Sequence, residues 1–184
     1  MDPVLTSIVR AVLDVTSADA GWLLARDGGQ LRVAAAIGLN ATDEQLAAIA
    51  VDEQSGTAGF VISSGQPLAL ASAANDARLA GGVAASVGRM PSSVLCVACE
   101  TGDTIVGALE VVDKAGGASF SFDDVELATL LSSIAAVALI TTRDAPASIA
   151  SPVELGRDLQ RLAEADPGRY AIVATAVGSL LGRD

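Results

Sequence analysis

Two cysteines in a Cys-x-x-Cys spacing, Cys96 and Cys99, are the residues whose type and spacing most suggest chemistry. Such a pair can be a redox centre when it starts a helix, because the helix dipole lowers the pKa of one thiol, or it can supply half of a zinc site. Here the pair lies in the apolar run VLCVAC, which is typical of a strand, and strand residues three apart point to opposite faces. The chain has no histidine and no second cysteine pair. We therefore expect no metal site and interpret both cysteines as buried strand residues, with a thiol role as the less favoured alternative.

The acidic residues offer a second candidate chemistry. The adjacent carboxylates at 52–53 and 123–124 are more typical of loop edges and helix starts than of acid/base work. Glu110 differs because it interrupts the apolar run VGALEVV. Either that sheet face is solvated at this point, or Glu110 points into a polar pocket. Without histidine the chain cannot build a Ser/His/Asp triad or an imidazole base, so we predict no catalytic residue.

The charge balance limits the classes of partner. The 184 residues carry 22 acidic and 11 basic side chains, a net charge of −11. This charge repels a phosphate backbone and an anionic lipid surface, so we expect neither nucleic-acid nor membrane-surface binding. Asp2 and Pro3 stand where a signal peptide would be basic, and the apolar runs near 127–140 and 171–181 are shorter than a membrane span. We expect no membrane span and a cytoplasmic, bacterial protein.

Apolar periodicity and turn residues predict the order of elements. A helix is expected at 3–16, then a hairpin turning at Gly28 and Gly29, a short helix at 41–50, a helix at 56–64 and an extended segment at 67–70. Residues 72–91 are a long connection, and strands at 92–100 and 104–112 precede a long helix at about 123–143. A linker at 144–151 separates this domain, residues 1–143, from a helical hairpin at 152–184.

Several motifs in this order resemble the GAF domain. They are Val94-Leu95-Cys96-Val97, Ile105-Val106-Gly107-Ala108-Leu109, Asp113-Lys114, Phe120-Ser121 and Asp123-Asp124, preceded by GTAGFVISSGQPLAL. The resemblance is to a stand-alone GAF domain with a C-terminal helical extension. It implies an α+β fold, in which the first and last helices lie on one face of an antiparallel sheet and the pocket-side connections lie on the other.

The departures from the family patterns narrow the expected activities. Asp113 and Val125 replace the Asn and Glu of members that bind cyclic nucleotides. No ligand for a tetrapyrrole or haem fits, so no cofactor is expected. Residues 56–91 lack the cysteines of GAF enzymes that reduce free methionine sulfoxide, and an enzyme is the least favoured of three hypotheses.

If a small-molecule pocket exists, the resemblance places it between the sheet and the 72–91 connection. The alternative is that the many alanines of this connection let it pack flat and close the cavity. The candidate ligand-binding residues are Asn75, Asp76, Arg89, Ser93 and Glu110.

The long helix is apolar nearly all round, so we expect it to be buried on two sides. Pairing of the first and long helices with a second copy would achieve this, as would folding back of the tail. The first hypothesis is therefore a dimeric regulatory module, and the second is a ligand-less assembly protein that docks a partner protein through 152–182. The candidate dimer or tail contacts are Leu5, Ile8, Val12, Leu127, Leu130, Leu131, Ile134 and Val137.

Overall fold

The computed structural model describes residues 1–71, 73, 76–144 and 152–180. The chain divides into two compact units, Met1–Asp144 and Ala145–Asp184. The first unit begins with helix α1 (Pro3–Thr16), whose N-terminus is capped by the Asp2 carboxylate. Strands β1 (Ala18–Asp27) and β2 (Gln30–Ile37) follow. Gly28 and Gly29 form the turn between them at positive φ, which glycine adopts without steric cost.

The middle of the first unit consists of short elements. Helix α2 (Asp43–Ala47) carries the expected cap at Thr42 but ends earlier than predicted, and strand β3 (Ala50–Asp52) follows it. Next come α3 (Gly56–Ser64), β4 (Leu68–Leu70), a 3₁₀ turn at Ala77–Gly81 and α4 (Val83–Ser86). Strands β5 (Val94–Thr101) and β6 (Thr104–Lys114), a 3₁₀ turn at Ala115–Gly117 and helix α5 (Phe122–Asp144) complete the unit.

The six strands form one antiparallel sheet in the order β3-β2-β1-β6-β5-β4. One face, here called the helix face, packs against α1 and α5. The other, the connection face, packs against α2, α3, α4 and the 3₁₀ turn at Ala77–Gly81. This arrangement confirms the predicted α+β fold with the terminal helices of the domain on one side of the sheet.

The two cysteines confirm the strand interpretation. Cys96 lies in the core of the connection face and Cys99 in the core of the helix face, and both thiols are free. Their sulfur atoms therefore point away from each other. Burial raises the pKa of both thiols, and the neighbouring Glu110 raises that of Cys96 further. Neither cysteine has the lowered pKa of a nucleophilic thiol.

Helix α5 is covered on one side. Ala128, Ser132 and Ala135 are buried, whereas Leu130 and Ile134 are 64% and 52% exposed. Burial on both sides was expected, and within the described residues of the first unit it is not found. The segment Phe122–Thr142 is long and apolar enough to cross a membrane by length and composition, although the uninterrupted apolar run near 127–140 is shorter than a span. Its buried side belongs to the core that joins it to the sheet.

The second unit contains two helices that pack against each other, α6 (Pro152–Ala165) and α7 (Pro167–Leu180). Asp166 separates them, and its side chain accepts a hydrogen bond from the backbone N–H of Arg169 at 2.9 Å. Asp166 thereby caps the first turn of α7, as expected for Asp before an N-terminal proline.

Candidate functional site

The most unusual group in the core is the carboxyl group of Glu110. Residue 110 lies in the middle of β6, directly opposite Trp22 on β1 and Cys96 on β5. Strand alternation places all three side chains on the connection face, and Glu110 is 2% exposed. The interpretation that the sheet face is solvated at this point is therefore wrong. A buried carboxyl group must be hydrogen-bonded or neutral.

Helix α3 supplies a partner for this carboxyl group. The hydroxyl of Thr57, itself buried, donates a short hydrogen bond to Glu110 Oε2. The first turn of α3 lies so close to the preceding chain that a Cβ at Gly59 would be 2.6 Å from the backbone carbon of Gln54. This close approach fixes the start of α3, and so places Thr57 over the sheet.

The surroundings of Glu110 shift its proton affinity. Removal from water raises its pKa from 4.5 to about 7, and hydrogen bonds from Thr57 and Cys96 only partly oppose that rise. The carboxyl group therefore changes protonation state near neutral pH. Among the described residues, the indole Nε1 of Trp22 is buried without a hydrogen-bond partner. Thr57 and Trp22 were not predicted as site residues, because nothing in the local pattern connects them to Glu110.

A second polar group, an ion network, ties the 72–91 connection to the ends of β1 and β6. The Arg89 guanidinium donates to Asp113 Oδ2 at 2.6 and 3.0 Å, to Asp19 and to the carbonyl oxygen of Gly38 at 2.9 Å. Ser92 donates to the other oxygen of Asp113 at 2.7 and 2.9 Å. Burial acts to raise the pKa of Asp113, but the hydrogen bonds from Ser92 and Arg89 together outweigh it and lower this pKa. Arg89, a predicted ligand-binding residue, is thus held by carboxylates of the chain itself.

The remaining predicted ligand-binding residues lie apart from Glu110. Ser93 is buried, and its hydroxyl accepts from the backbone N–H of Lys114 at 3.1 Å. Asp76 caps the following 3₁₀ turn and forms an ion pair with Arg78, which lowers the pKa of Asp76 to about 2. Asn75 lies outside the described residues. The structure gathers Arg89 and Ser93 near the end of β6 but does not join them to Asp76.

Beyond β6, an ion pair fixes the start of α5. Lys114 Nζ lies 2.7 Å from Asp124 Oδ2 and also donates to the carbonyl oxygen of Thr16 at 2.9 Å. Asp124 accepts from the backbone N–H of Ser121 at 2.6 Å as well. Because this network links α1, β6 and α5, it orients the two helices of the helix face.

On its outer side, the helix face carries an apolar groove of about 810 Å³ between α1 and α5. The α5 side chains that border this surface recur at spacings of three and four residues, and those of α1 do the same, a pattern typical of helices that pair side by side. We call these positions, together with the exposed Val15 and Leu127 that continue the same spacing beyond the groove, the seam; they are Val4, Ile8, Ala11 and Val15 on α1 and Leu127, Leu130, Ile134 and Val137 on α5.

Two of the predicted interface residues do not reach the seam. Leu5 and Val12 belong to the core between α1 and the sheet. They were assigned to an interface because the apolar stripe of α1 was read as one face, whereas α1 uses two: one packs inward and the other is left exposed. Leu131 is half-buried and lines the floor of the groove.

Metal chemistry finds no support in the part of the chain that is described. No group of three or more Cys, Asp or Glu side chains there could hold an ion. Among the described residues, the buried polar groups around Glu110 on the connection face are one carboxyl, one hydroxyl, one thiol and one indole N–H. This set can bind and release a proton, and it could also contact a small polar molecule.

Comparison with known proteins identifies the fold. A family model described as the GAF domain matches residues 1–139. The GAF domain of a phosphoenolpyruvate-protein phosphotransferase from Coxiella burnetii is 20% identical over 76% of this chain and 82% of its own, with a TM-score of 0.66. The GAF-B domain of DevS from Mycobacterium smegmatis is 22% identical over 76% and 93%, with a TM-score of 0.57.

One of the similar structures is an enzyme. A type II free methionine-R-sulfoxide reductase from Thermoplasma acidophilum is 14% identical over 74% of this chain and 89% of its own, with a TM-score of 0.59. A search of curated proteins gives no significant match. At these identities the solved structures establish the fold alone. Together with the family model, which spans most of the chain, they show that this chain belongs to the GAF domain family, a family commonly used for regulatory or sensory ligand binding.

Proposed function

We propose that this chain is a non-catalytic regulatory module that acts through self-association of its helix face. The observation that carries the proposal is the seam. Leu130, Ile134 and Val137 are each more than half exposed on one side of a helix whose other side is core. Large contiguous apolar surfaces are uncommon on monomers and typically mark an interaction site.

A second copy is the partner whose chemistry the seam matches. Two copies would bring together four helices with apolar residues at spacings of three and four, which is the pattern of knobs-into-holes packing. Full burial of a large aliphatic side chain contributes roughly 1.5–3 kcal/mol, and half-exposed residues contribute about half of that before association costs. The net charge of −11 on each copy opposes pairing. Added salt screens this repulsion, so we expect dimerisation to strengthen with ionic strength.

Sedimentation velocity at micromolar concentration tests the seam. The wild type should be a dimer, and a double substitution of Ile134 and Val137 by Lys should give a folded monomer. Thr129→Lys is the matched control, because Thr129 is exposed on the same helix but points away from the seam. A wild-type monomer at this concentration, or a dimer that survives the double substitution, contradicts the proposal.

A ligand-less assembly role is the second candidate, and the packing of the connection face favours it. Val61, Val83 and Ala84 are buried against the sheet, and Glu110 is enclosed with them. Native mass spectrometry of the untreated protein separates the alternatives. A retained metabolite that is released on unfolding would support a small-molecule pocket, whereas the mass of the bare chain would support the ligand-less role.

We assign the docking of a partner protein, in either case, to the helical hairpin at 152–182. A two-helix unit has little core of its own and usually needs a further surface to pack on. Removing residues 145–184 should leave the thermal unfolding of the first unit unchanged and abolish capture of the partner. Retained capture after this deletion would place the docking surface elsewhere.

The non-catalytic assignment has its own assay, because one similar structure is a free methionine-R-sulfoxide reductase. The thiols of this chain are buried and their pKa values are raised, which disfavours a nucleophilic role. Incubation with free methionine sulfoxide and a thiol reductant should therefore give no methionine. Turnover that is lost on changing Glu110 alone would instead establish an enzyme.

A further inference from the structure

We propose that Glu110 is a proton-dependent latch for helix α3: the protonated carboxyl group keeps α3 packed on the sheet, and its ionisation loosens that packing. The latch lies on the connection face and is independent of self-association through the seam. It consists of the Glu110 carboxyl group, the Thr57 hydroxyl that α3 brings to it, and the Cys96 thiol beside it.

The geometry makes the position of α3 and the charge of Glu110 interdependent. With α3 in place the carboxyl group is removed from water: it accepts the hydrogen bond from Thr57 of α3 and lies opposite Trp22 on β1 and Cys96 on β5. If α3 moves away, Thr57 leaves and water can reach the carboxyl group. A carboxylate gains far more from hydration than a neutral carboxylic acid does. Ionisation must therefore favour the state in which α3 is loosened, and protonation the state in which it is packed.

The neighbouring elements bring few competing charges to this site. The Cys96 thiol on β5 stays neutral because burial raises its pKa. The residues that α3, α4 and the 3₁₀ turn contribute to this core are Thr57 and apolar side chains. Asp76 and Arg78 form an ion pair with each other near the solvent, and Glu53, just before α3, is paired with Arg26. Among these groups, Glu110 is thus the one whose change of charge in the physiological pH range affects the packing of α3 on the sheet.

The molecule carries its own reporter for this latch. Trp22 is the single tryptophan of the chain, and it lies directly opposite Glu110 across the β1–β6 pair. Its indole N–H has no partner among the described residues. Its emission should therefore respond both to the charge of the carboxyl group and to water admitted when α3 loosens.

Tryptophan emission and amide hydrogen exchange of the full-length chain between pH 5 and pH 8 test the latch. Exchange rates are corrected for the pH dependence of the intrinsic rate, and amides of α1 and α5 report on global unfolding, which also hydrates Glu110. With Glu110 titrating near pH 7 when buried and near 4.5 when hydrated, the protection of α3 should fall on the order of 50-fold over this range. Trp22 emission should change with the same midpoint, and at pH 8 the amides of α3 should be less protected than those of α1 and α5.

Variants decide the assignment. Glu110→Gln keeps the shape and an acceptor for Thr57 but cannot ionise, so α3 protection and Trp22 emission should become independent of pH. Glu53→Gln is the matched control, because it removes an acid just before α3 and should leave the titration unchanged. If Glu110→Gln does not fold, Thr57→Val gives the answer: without the hydroxyl donor the carboxylate is held less well, and α3 should be looser than wild type at pH 8.

Three results would overturn the latch. The first is wild-type protection of α3 that does not change with pH. The second is a pH dependence that persists in Glu110→Gln, and the third is a Thr57→Val protein that matches the wild type at pH 8. None of these measurements depends on the oligomeric state, so failure of the latch and failure of the seam can be told apart.

Discussion

The two faces of the sheet are covered by different kinds of elements and enclose different kinds of side chains. The helix face is covered by two long helices and its core is mostly aliphatic, and further apolar residues of those helices form the seam on the outer surface. The connection face is covered by short elements and encloses a carboxyl group at its centre. The long helices of one face thus carry the proposed self-association surface, and the short elements of the other face carry the proposed response to the titration of Glu110.

Truncation of the helix-face core should have the largest effect. Leu95 is buried on β5 beneath the helices, and Leu95→Ala should lower the free energy of unfolding by about 2–5 kcal/mol, because it removes apolar contacts and leaves a cavity. Leu130→Ala, made in the exposed seam, should change it by less than about 1 kcal/mol when the protein is dilute enough to be monomeric. Urea denaturation measures both. If the two variants lost the same free energy of unfolding, the assignment of Leu95 to the core and of Leu130 to the exposed seam would be contradicted.

The connection face should differ from the helix face in its response to pH. The pKa of Glu110 in the folded chain, about 7, lies above the ordinary value of 4.5. The stability that this group contributes is therefore fully present below pH 4.5 and is lost as the pH rises through about 7. The free energy of unfolding of Glu110→Gln, measured relative to that of the wild type, should therefore rise by on the order of 3 kcal/mol between pH 4.5 and pH 8. If the free energies of unfolding of the wild type and of Glu110→Gln changed with pH in the same way, Glu110 would not be ionising in the core.

The Lys114–Asp124 ion pair should give a smaller effect, confined to the helix face. Lys114→Met leaves the buried Asp124 carboxylate without its cation, and we expect a loss of about 1–3 kcal/mol in the free energy of unfolding. The control is Arg32→Met, since the Arg32–Asp27 pair is largely solvent-exposed and should contribute no more than about 0.5 kcal/mol. If both variants lose the same stability, the network around Asp124 does not orient the helices.

Local signals in the sequence were sufficient for most of the fold. The Asp2 cap, the hairpin turn at Gly28 and Gly29 and the opposite directions of Cys96 and Cys99 all follow from rules that act within a few residues. Strand β3 was missed because three residues carry no measurable periodicity, and pairing with β2 creates it.

The candidate site was less predictable because its contacts are distant in sequence. Thr57 and Glu110 are 53 residues apart, and no local pattern joins them. Glu110 itself was found because an acid in an apolar run is conspicuous, but its burial depends on where α3 packs. Likewise, helical periodicity shows that α1 is apolar on more than one side without showing which side meets the sheet, so Leu5 and Val12 were assigned to the wrong surface.

The strand order has a consequence for how copies of this chain can meet. The sheet ends in β3 and β4, each three residues long, so neither edge strand offers a long row of free main-chain hydrogen-bonding groups to another molecule. Edge-to-edge pairing of copies into one continuous sheet is therefore disfavoured at both edge strands. Short edge strands therefore disfavour pairing through the sheet and are compatible with the self-association through helices proposed above.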